Sequence, residues 1–383
     1  MEYDVIVVGA GLSGAVIARK FAESGEKVLI IERRNHIGGN MYDYVNEDGV
    51  LVHKYGPHTF HTKKKELFDY MARFCEWDEY KLTCGAVIDG KYTPTPFNFQ
   101  TVDDFFEKEK AERIKKAIKE AYPNQEFATV LELLNHSNDL IREYAQFLFD
   151  KDYSLYTAKQ WGISPKEIDK SVLQRVPIRF NYDVGYFDDE YQFMPKKSYM
   201  TFFENVLNHE NIIVKLGQDA LDYVSLNDEK IYYDGNEYMG ILVYTGAIDE
   251  LFGCKYGKLP YRSLRFEWKA EGKKSFQNAP VVAYPAAEGY TRITEYTKLP
   301  VQDVGNKTVY AVEYPLQYDG TGDSEPYYPV LTEESLQLYN KYRCEADRYS
   351  NLILSGRLAD FKYYNMDQAL LYAISIALRY KLK

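Results

Sequence analysis

The residues with the plainest chemical reading are Gly9-Ala10-Gly11-Leu12-Ser13-Gly14 and Glu32. The glycine run follows an apolar stretch, Tyr3 to Val8, and opens an amphipathic one reaching about Ser24; a second apolar run, Lys27 to Ile31, ends in Glu32. In this setting Gly9 makes a tight turn and Gly11, with Ser13 in the same turn, lets backbone approach a pyrophosphate. Gly14 lets helix lie against strand, and Glu32 accepts from a ribose hydroxyl. A glycine-rich turn without a ligand is the plainer alternative. Strand, turn, helix, strand and terminal acid in sequence point instead to a dinucleotide, FAD or NAD.

Two further groups bear on that choice. Glu32-Arg33-Arg34 runs into a second glycine pair, Gly38-Gly39-Asn40, and Gly356-Arg357 stands between a strand and a helix that starts near Met366. Backbone amides and a helix dipole at that point suit the flavin end of a cofactor. The combination resembles the large flavoprotein family related to amine oxidases, which implies FAD. The implied cofactor residues are Gly9, Gly11, Ser13, Gly14, Glu32, Arg33, Gly39, Asn40, His58, His61, Gly356, Arg357 and Met366.

The elements that position these residues follow from pattern. The 383 residues suffice for two to three domains at about 150 residues each. With 45% apolar and 27% charged residues, disorder and coiled coil are excluded as descriptions of the whole. The chain opens as strand, helix, strand, the start of a parallel sheet. Lys63–Phe74 reads as helix, Gly85–Thr95 as short β pieces, and Thr101 to about Asp150 as a helical insertion. Alternating stretches at Val281–Tyr284, Tyr290–Tyr296 and Thr308–Tyr314 predict an antiparallel sheet. Ser198–Asn208 reads as helix, and Ile212–Lys215, Ile241–Tyr244 and Leu352–Leu354 as strands that rejoin the first sheet.

The predicted fold is therefore α/β: a discontinuous Rossmann-like FAD-binding domain (1–82, 198–250, 335–383), a helical domain with a mobile substrate lid (99–175), and an antiparallel sheet domain (83–98, 176–197, 251–334). The formal charge of −10 opposes non-specific binding to nucleic acid or anionic membrane, so any anionic ligand must be met by a few placed arginines. No apolar run is long enough to span a bilayer. Cys75, Cys84, Cys254 and Cys344 form no CxxC pair and no leader precedes the first strand, which predicts reduced thiols in the cytoplasm. His58 and His61 lack Cys, Asp or Glu ligands nearby, and no metal site is expected. The 37 tyrosines are in excess and fit an aromatic core or a carbohydrate site.

Longer motifs narrow the reading. His53-Lys54-Tyr55-Gly56-Pro57-His58-Thr59-Phe60-His61-Thr62, Lys159-Gln160-Trp161-Gly162, Arg175-Val176-Pro177-Ile178-Arg179-Phe180-Asn181-Tyr182, Tyr261-Arg262-Ser263-Leu264 and Tyr290-Thr291-Arg292-Ile293 resemble the bacterial UDP-galactopyranose mutase family in order, from first strand to last helix. The resemblance implies an isomerase that interconverts UDP-galactopyranose and UDP-galactofuranose through a bond between the anomeric carbon and N5 of reduced FAD. It implies that Arg175 and Arg292 clamp the diphosphate as catalytic residues, with Arg262 and Glu313 nearby. Tyr186, Tyr328 and Tyr363 would contact phosphates, and Tyr156 and Trp161 the uridine and its lid. His58 and His61 would flank the flavin, His61 as a catalytic candidate; a buried, hydrogen-bonded histidine is the plainer alternative for each.

Two departures stand out. Asn365, in Tyr363-Tyr364-Asn365-Met366, replaces an acid and bears on sugar preference, and Leu155 precedes Tyr156 where the family has Gly. A homodimer and a role in cell-surface polysaccharide synthesis are expected by resemblance alone. The alternatives are a mutase for a related UDP-hexose such as UDP-N-acetylgalactosamine, and an amine-oxidase-type flavin oxidoreductase, against which paired arginines argue.

Overall fold

The computed structural model describes residues 2–161, 177–321 and 324–381. Its first layer is a five-stranded parallel sheet in the order Ile212–Leu216, Val28–Glu32, Val5–Val8, Ile241–Tyr244, Leu352–Leu354. The central strands are continuous apolar runs because both faces are covered, the usual state of parallel strands. Val5 and Val7 point to one face, where helices Leu12–Ala22, Tyr199–Leu207 and Met366–Lys381 pack. Ile6 points to the other, onto the three-stranded meander Val224–Asn227, Lys230–Tyr233, Asn236–Glu237 and helix Glu333–Ala346.

A second, seven-stranded sheet runs Tyr328–Pro329, Tyr261–Glu271, Thr308–Gln317, Arg292–Glu295, Val281–Ala283, Cys84–Ile88, Lys91–Thr95. It is antiparallel, as the alternating stretches predict, except that Val281–Ala283 pairs in parallel with Cys84–Ile88. Those two strands arrive from distant parts of the chain, so no hairpin dictates their direction. A smaller sheet of Phe60–Thr62, Tyr191–Pro195 and Trp77–Glu79 stands apart from both.

The expected helical stretch is four helices, Phe99–Phe105, Lys108–Ala121, Val130–Leu134 and Asp139–Leu148, interrupted by Phe127–Ala128, which pairs with Ile178–Arg179. Asn98, Thr129 and Asn138 cap three of them through side-chain oxygens, which fixes where each begins. Past Leu148 the helix widens into a π turn over Phe149–Tyr153 before Ser154–Trp161. Tyrosine serves the interior: Tyr144, Tyr199, Tyr261, Tyr296 and Tyr342 are among the largest fully buried side chains, so part of the tyrosine excess is packing. Among the described residues no helix is long and apolar enough to cross a membrane, and no cluster of His, Cys, Asp or Glu could hold a metal ion.

Candidate functional site

The first strand ends at Gly9, whose φ of 98° lies in the left-handed region. A Cβ there would stand 2.2 Å from Thr245 Oγ1, and one on Gly14 would stand 2.0 Å from the Gly9 carbonyl oxygen. The helix Leu12–Ala22 therefore sits directly on the turn, with Gly11 at its start and no acid in its first turn. Its leading amides are free to meet an anion. Gly39 closes on Gly11 backbone to backbone, where a Cβ would come within 2.9 Å of the Gly11 Cα. Glu32 is buried at the end of the second strand and accepts from the amides of Ala10 (2.8 Å) and Arg34 (2.9 Å), which aims its remaining lone pairs at the cleft.

The cleft begins at Gly9, Gly11, Ser13 and Gly14 and passes Glu32, Arg33, Gly39 and Asn40. It ends at Gly356, Arg357, Asn365 and Met366, with His58 on its wall. These sequence-predicted residues are thus brought together. Sequence reasoning missed three others. Thr245 follows the strand Ile241–Tyr244 and bonds back to the Val8 carbonyl (2.7 Å), and a strand ending in Thr-Gly was the available signal. Glu325 bridges Arg33 (2.8 Å) and Arg34 (2.9 Å) over the ribose acid, and nothing local in the sequence announces it. Asp360 accepts from the Gly356 amide (3.2 Å) and the Tyr364 hydroxyl (3.1 Å), and burial lifts its carboxyl to about 6.

At its far end the cleft meets cations. Arg357 donates to the carbonyls of Tyr364 (2.9 Å) and Tyr327 (3.3 Å) and lies over the Tyr328 ring, which stacks on Tyr363. Arg262 pairs with Tyr328 across the sheet; its Nε is buried without a hydrogen-bond partner, and burial lowers its pKa. Among the described residues neither arginine has a carboxylate partner, which leaves two charges for an anion to neutralise.

Arg292 differs. It is the cross-strand neighbour of Glu313 and donates to it at 2.6 Å, while the other Glu313 oxygen accepts from Thr294 at 2.6 Å. The buried carboxylate outweighs the cost of burial and holds the guanidinium pKa well above its ordinary value. The phenols of Tyr156 and Tyr328 lie within electrostatic reach of Arg292, and Tyr186 within reach of Tyr156. His58 stands between cleft and arginines. Its Nδ1 donates to the Gly56 carbonyl (2.8 Å), and burial lowers its pKa to about 4, with Arg357 and Arg292 pushing the same way. It is neutral at physiological pH and presents Nε2 as an acceptor.

Of the expected cofactor residues, one does not line the cleft. His61, on the strand Phe60–Thr62, is buried against Phe187 at 3.6 Å between ring centroids and paired through Nδ1 with Asp189, outside the cleft lining. Its strand turns it toward the 187–189 segment. Arg175 lies outside the described residues. Trp161 ends its helix, and its side chain is not described.

A family model described as UDP-galactopyranose mutase matches residues 151–363, and one described as NAD(P)-binding Rossmann-like domain matches residues 7–74. The UDP-galactopyranose mutase of Mycoplasma pneumoniae is 34% identical over 383 residues, covering 98% of this chain and 96% of that protein. The dTDP-fucopyranose mutase of Escherichia coli is 32% identical over 378 residues, covering 98% of each. Among solved structures, a reduced UDP-galactopyranose mutase superposes with a TM-score of 0.73 at 15% identity over 100% of this chain and 95% of that one, a likeness of fold.

Proposed function

We propose, from the premise that this chain belongs to the UDP-galactopyranose mutase family, that it is an isomerase interconverting UDP-galactopyranose and UDP-galactofuranose, with FAD held in the cleft. The observation that carries the reading is the continuity of one cleft. A dinucleotide cradle at one end runs, past a neutral His58, to Arg357 at the other; beyond that lining, Arg292 lies within electrostatic reach of His58, and Arg262 pairs with Tyr328, whose ring Arg357 covers. An oxidase of the amine-oxidase type has no use for such cations.

The residues fit FAD: Gly9 and Gly14 let the helix sit on a turn that a Cβ at either position would break, leaving its leading amides for a pyrophosphate, Glu32 would meet a ribose, and Gly356 and Met366, which starts the last helix, line the other end of the cleft. Reduced FAD, when bound, supplies a nucleophilic nitrogen. The chain's own residues have three tasks. Arg262 and Arg357 neutralise the diphosphate, and Arg292, held by Glu313, keeps it in register after the anomeric C–O bond breaks so that the same oxygen can return. Tyr156, Tyr186, Tyr328 and Tyr363 donate or stack without adding charge. Neutral His58 takes no proton from the site above about pH 4. Arg175 and Trp161 complete the substrate residues in this proposal. So does Asn365, whose amide keeps hydrogen-bonding shape at the cleft without a negative charge. The domain division given above, a homodimer and a cytoplasmic location belong to the same proposal.

A second reading has one observation behind it. The dTDP-fucopyranose mutase of Escherichia coli matches this chain as fully as the UDP-galactopyranose mutases do. The test supplies UDP-galactofuranose and dTDP-fucofuranose in parallel to anaerobically reduced protein and follows pyranose formation. Turnover of the first without consumption of reductant is expected. Arg292→Ala should lower kcat/KM by about 10²–10³ while the protein stays yellow. Loss of flavin in that variant would assign Arg292 to the cofactor instead.

A further inference from the structure

Lys159 has a coordination that the proposed reaction does not explain. It lies three residues beyond Tyr156 on the helix Ser154–Trp161, so the two side chains share a face. Its ammonium donates to three backbone carbonyls, those of Tyr284 (2.7 Å), Ala287 (2.7 Å) and Tyr290 (2.8 Å). Together these use all three donors, and no carboxylate among the described residues forms an ion pair with it. The three carbonyls line the inside of the turn that joins Val281–Ala283 to Arg292–Glu295. Backbone bonds within that turn are Tyr284 N–H to Thr291 O (2.8 Å) and Ala287 N–H to Tyr284 O (3.2 Å). Two residues past Tyr290 the chain delivers Arg292.

We propose that Lys159 is a positioning residue for substrate. Its ammonium docks the Tyr156 helix onto the turn that precedes Arg292, and so fixes the gap between the Tyr156 phenol and the Arg292 guanidinium in which a nucleoside diphosphate lies. The inference rests on the mutase reading for the identity of that ligand. Lysine suits the task because three converging carbonyls match a compact ammonium with three rotatable donors. A planar guanidinium spreads its donors in a fork and cannot converge on them in the same way. A neutral side chain would leave the partly buried Ala287 and Tyr290 carbonyls without this donor and the Tyr284 carbonyl with only the Ala287 amide, and the turn would relax at their expense.

The experiment uses the full-length holoprotein with UDP itself as the probe, its dissociation constant read from quenching of intrinsic fluorescence. Steady-state kinetics on the reduced enzyme, flavin content and thermal melts run alongside. Lys159→Met is expected to raise the UDP Kd and the KM about tenfold with flavin content unchanged. Lys159→Arg, which keeps charge and bulk, should fall between the two. On an Arg292→Ala background Lys159→Met should add little, because the residue acts through the placement of Arg292. An unchanged Kd in Lys159→Met and Lys159→Arg, or additive losses in the double variant, overturns the proposal. A wild-type protein that binds no UDP overturns the mutase reading itself.

Discussion

The two ends of the cleft are built from different materials. At the cradle, backbone does the recognising: glycines at 14 and 39 bring main chain so close that a single methyl group collides, Gly9 turns through a left-handed conformation against Thr245, and one buried acid faces inward. At the arginine wall, side chains recognise, Arg262 and Arg292 from strands far apart in sequence and Arg357 from the turn after Leu352–Leu354, and the backbone only spaces them. The cradle tolerates no added atom, whereas the wall tolerates shape changes but not changes of charge. Substitutions at the two ends should therefore fail in different ways.

The largest effect is expected at the cradle. In Gly14→Ala the new Cβ lies 2.0 Å from the Gly9 carbonyl oxygen, which is backbone and cannot swing aside. The helix must lift off the turn, and the purified protein should come out colourless, with flavin content below about a tenth of wild type by absorbance. A yellow, active Gly14→Ala would break the contrast outright, since it would mean that the turn yields as readily as a side chain.

At the wall the informative substitution is Glu313→Gln. It preserves the acceptor for Thr294 and the volume but removes the charge that holds Arg292. Thermal unfolding should show a loss of about 1–3 kcal/mol, since a buried partner is lost while Arg292 keeps some solvent contact. Flavin content should stay at wild type, while UDP affinity should fall a few-fold, because Arg292 loses the charge that fixes its place. An unchanged UDP affinity would show that Arg292 keeps its place without the Glu313 charge.

The same contrast explains what could be read from sequence. Val5–Val8, Val28–Glu32 and Ile241–Tyr244 announce themselves because strands buried on both faces are unbroken apolar runs, and the cradle's residues sit at fixed spacing along them. The longest strand of the second sheet, Tyr261–Glu271, has no such signature. Its second half, Phe-Glu-Trp-Lys-Ala-Glu, is only partly covered and reads as a polar segment. No spacing rule connects Arg262 and Arg292, whose strands both pair with Thr308–Gln317, so family resemblance alone suggested them, whereas Arg357 follows a strand and a glycine and could be singled out by that position. The resemblance also placed His61 beside the flavin. The pairing of its strand with Tyr191–Pro195 puts it next to Asp189 and Phe187, partners that no spacing in the sequence announces. Lys159 and Glu325 stayed silent because their partners are backbone carbonyls and arginines far along the chain.

The smallest effect is expected where the two ends meet. His53 is fully buried, with Tyr199 and Tyr296 edge-on to its ring, and its Nδ1 accepts from the His58 amide at 3.0 Å. It is therefore the Nε2–H tautomer, neutral, and burial lowers its pKa to about 3. The folded value lies below the unfolded value of about 6.5, so above pH 6.5 neither state is protonated and the residue carries no pH-dependent cost. As pH falls from 6.5 toward 3, the unfolded chain takes up a proton that the folded one refuses, and stability is lost at up to about 1.4 kcal/mol per pH unit. His53→Gln keeps an acceptor for the His58 amide and removes the titration. Its melting temperature should lie a little below wild type at pH 7, and the deficit should shrink or reverse by pH 4.5. Melts at pH 7, 6, 5 and 4.5 decide it. Curves that stay parallel would mean that His53 is charged or solvated in the folded protein, and that the joint between cradle and wall is wetter than its packing implies.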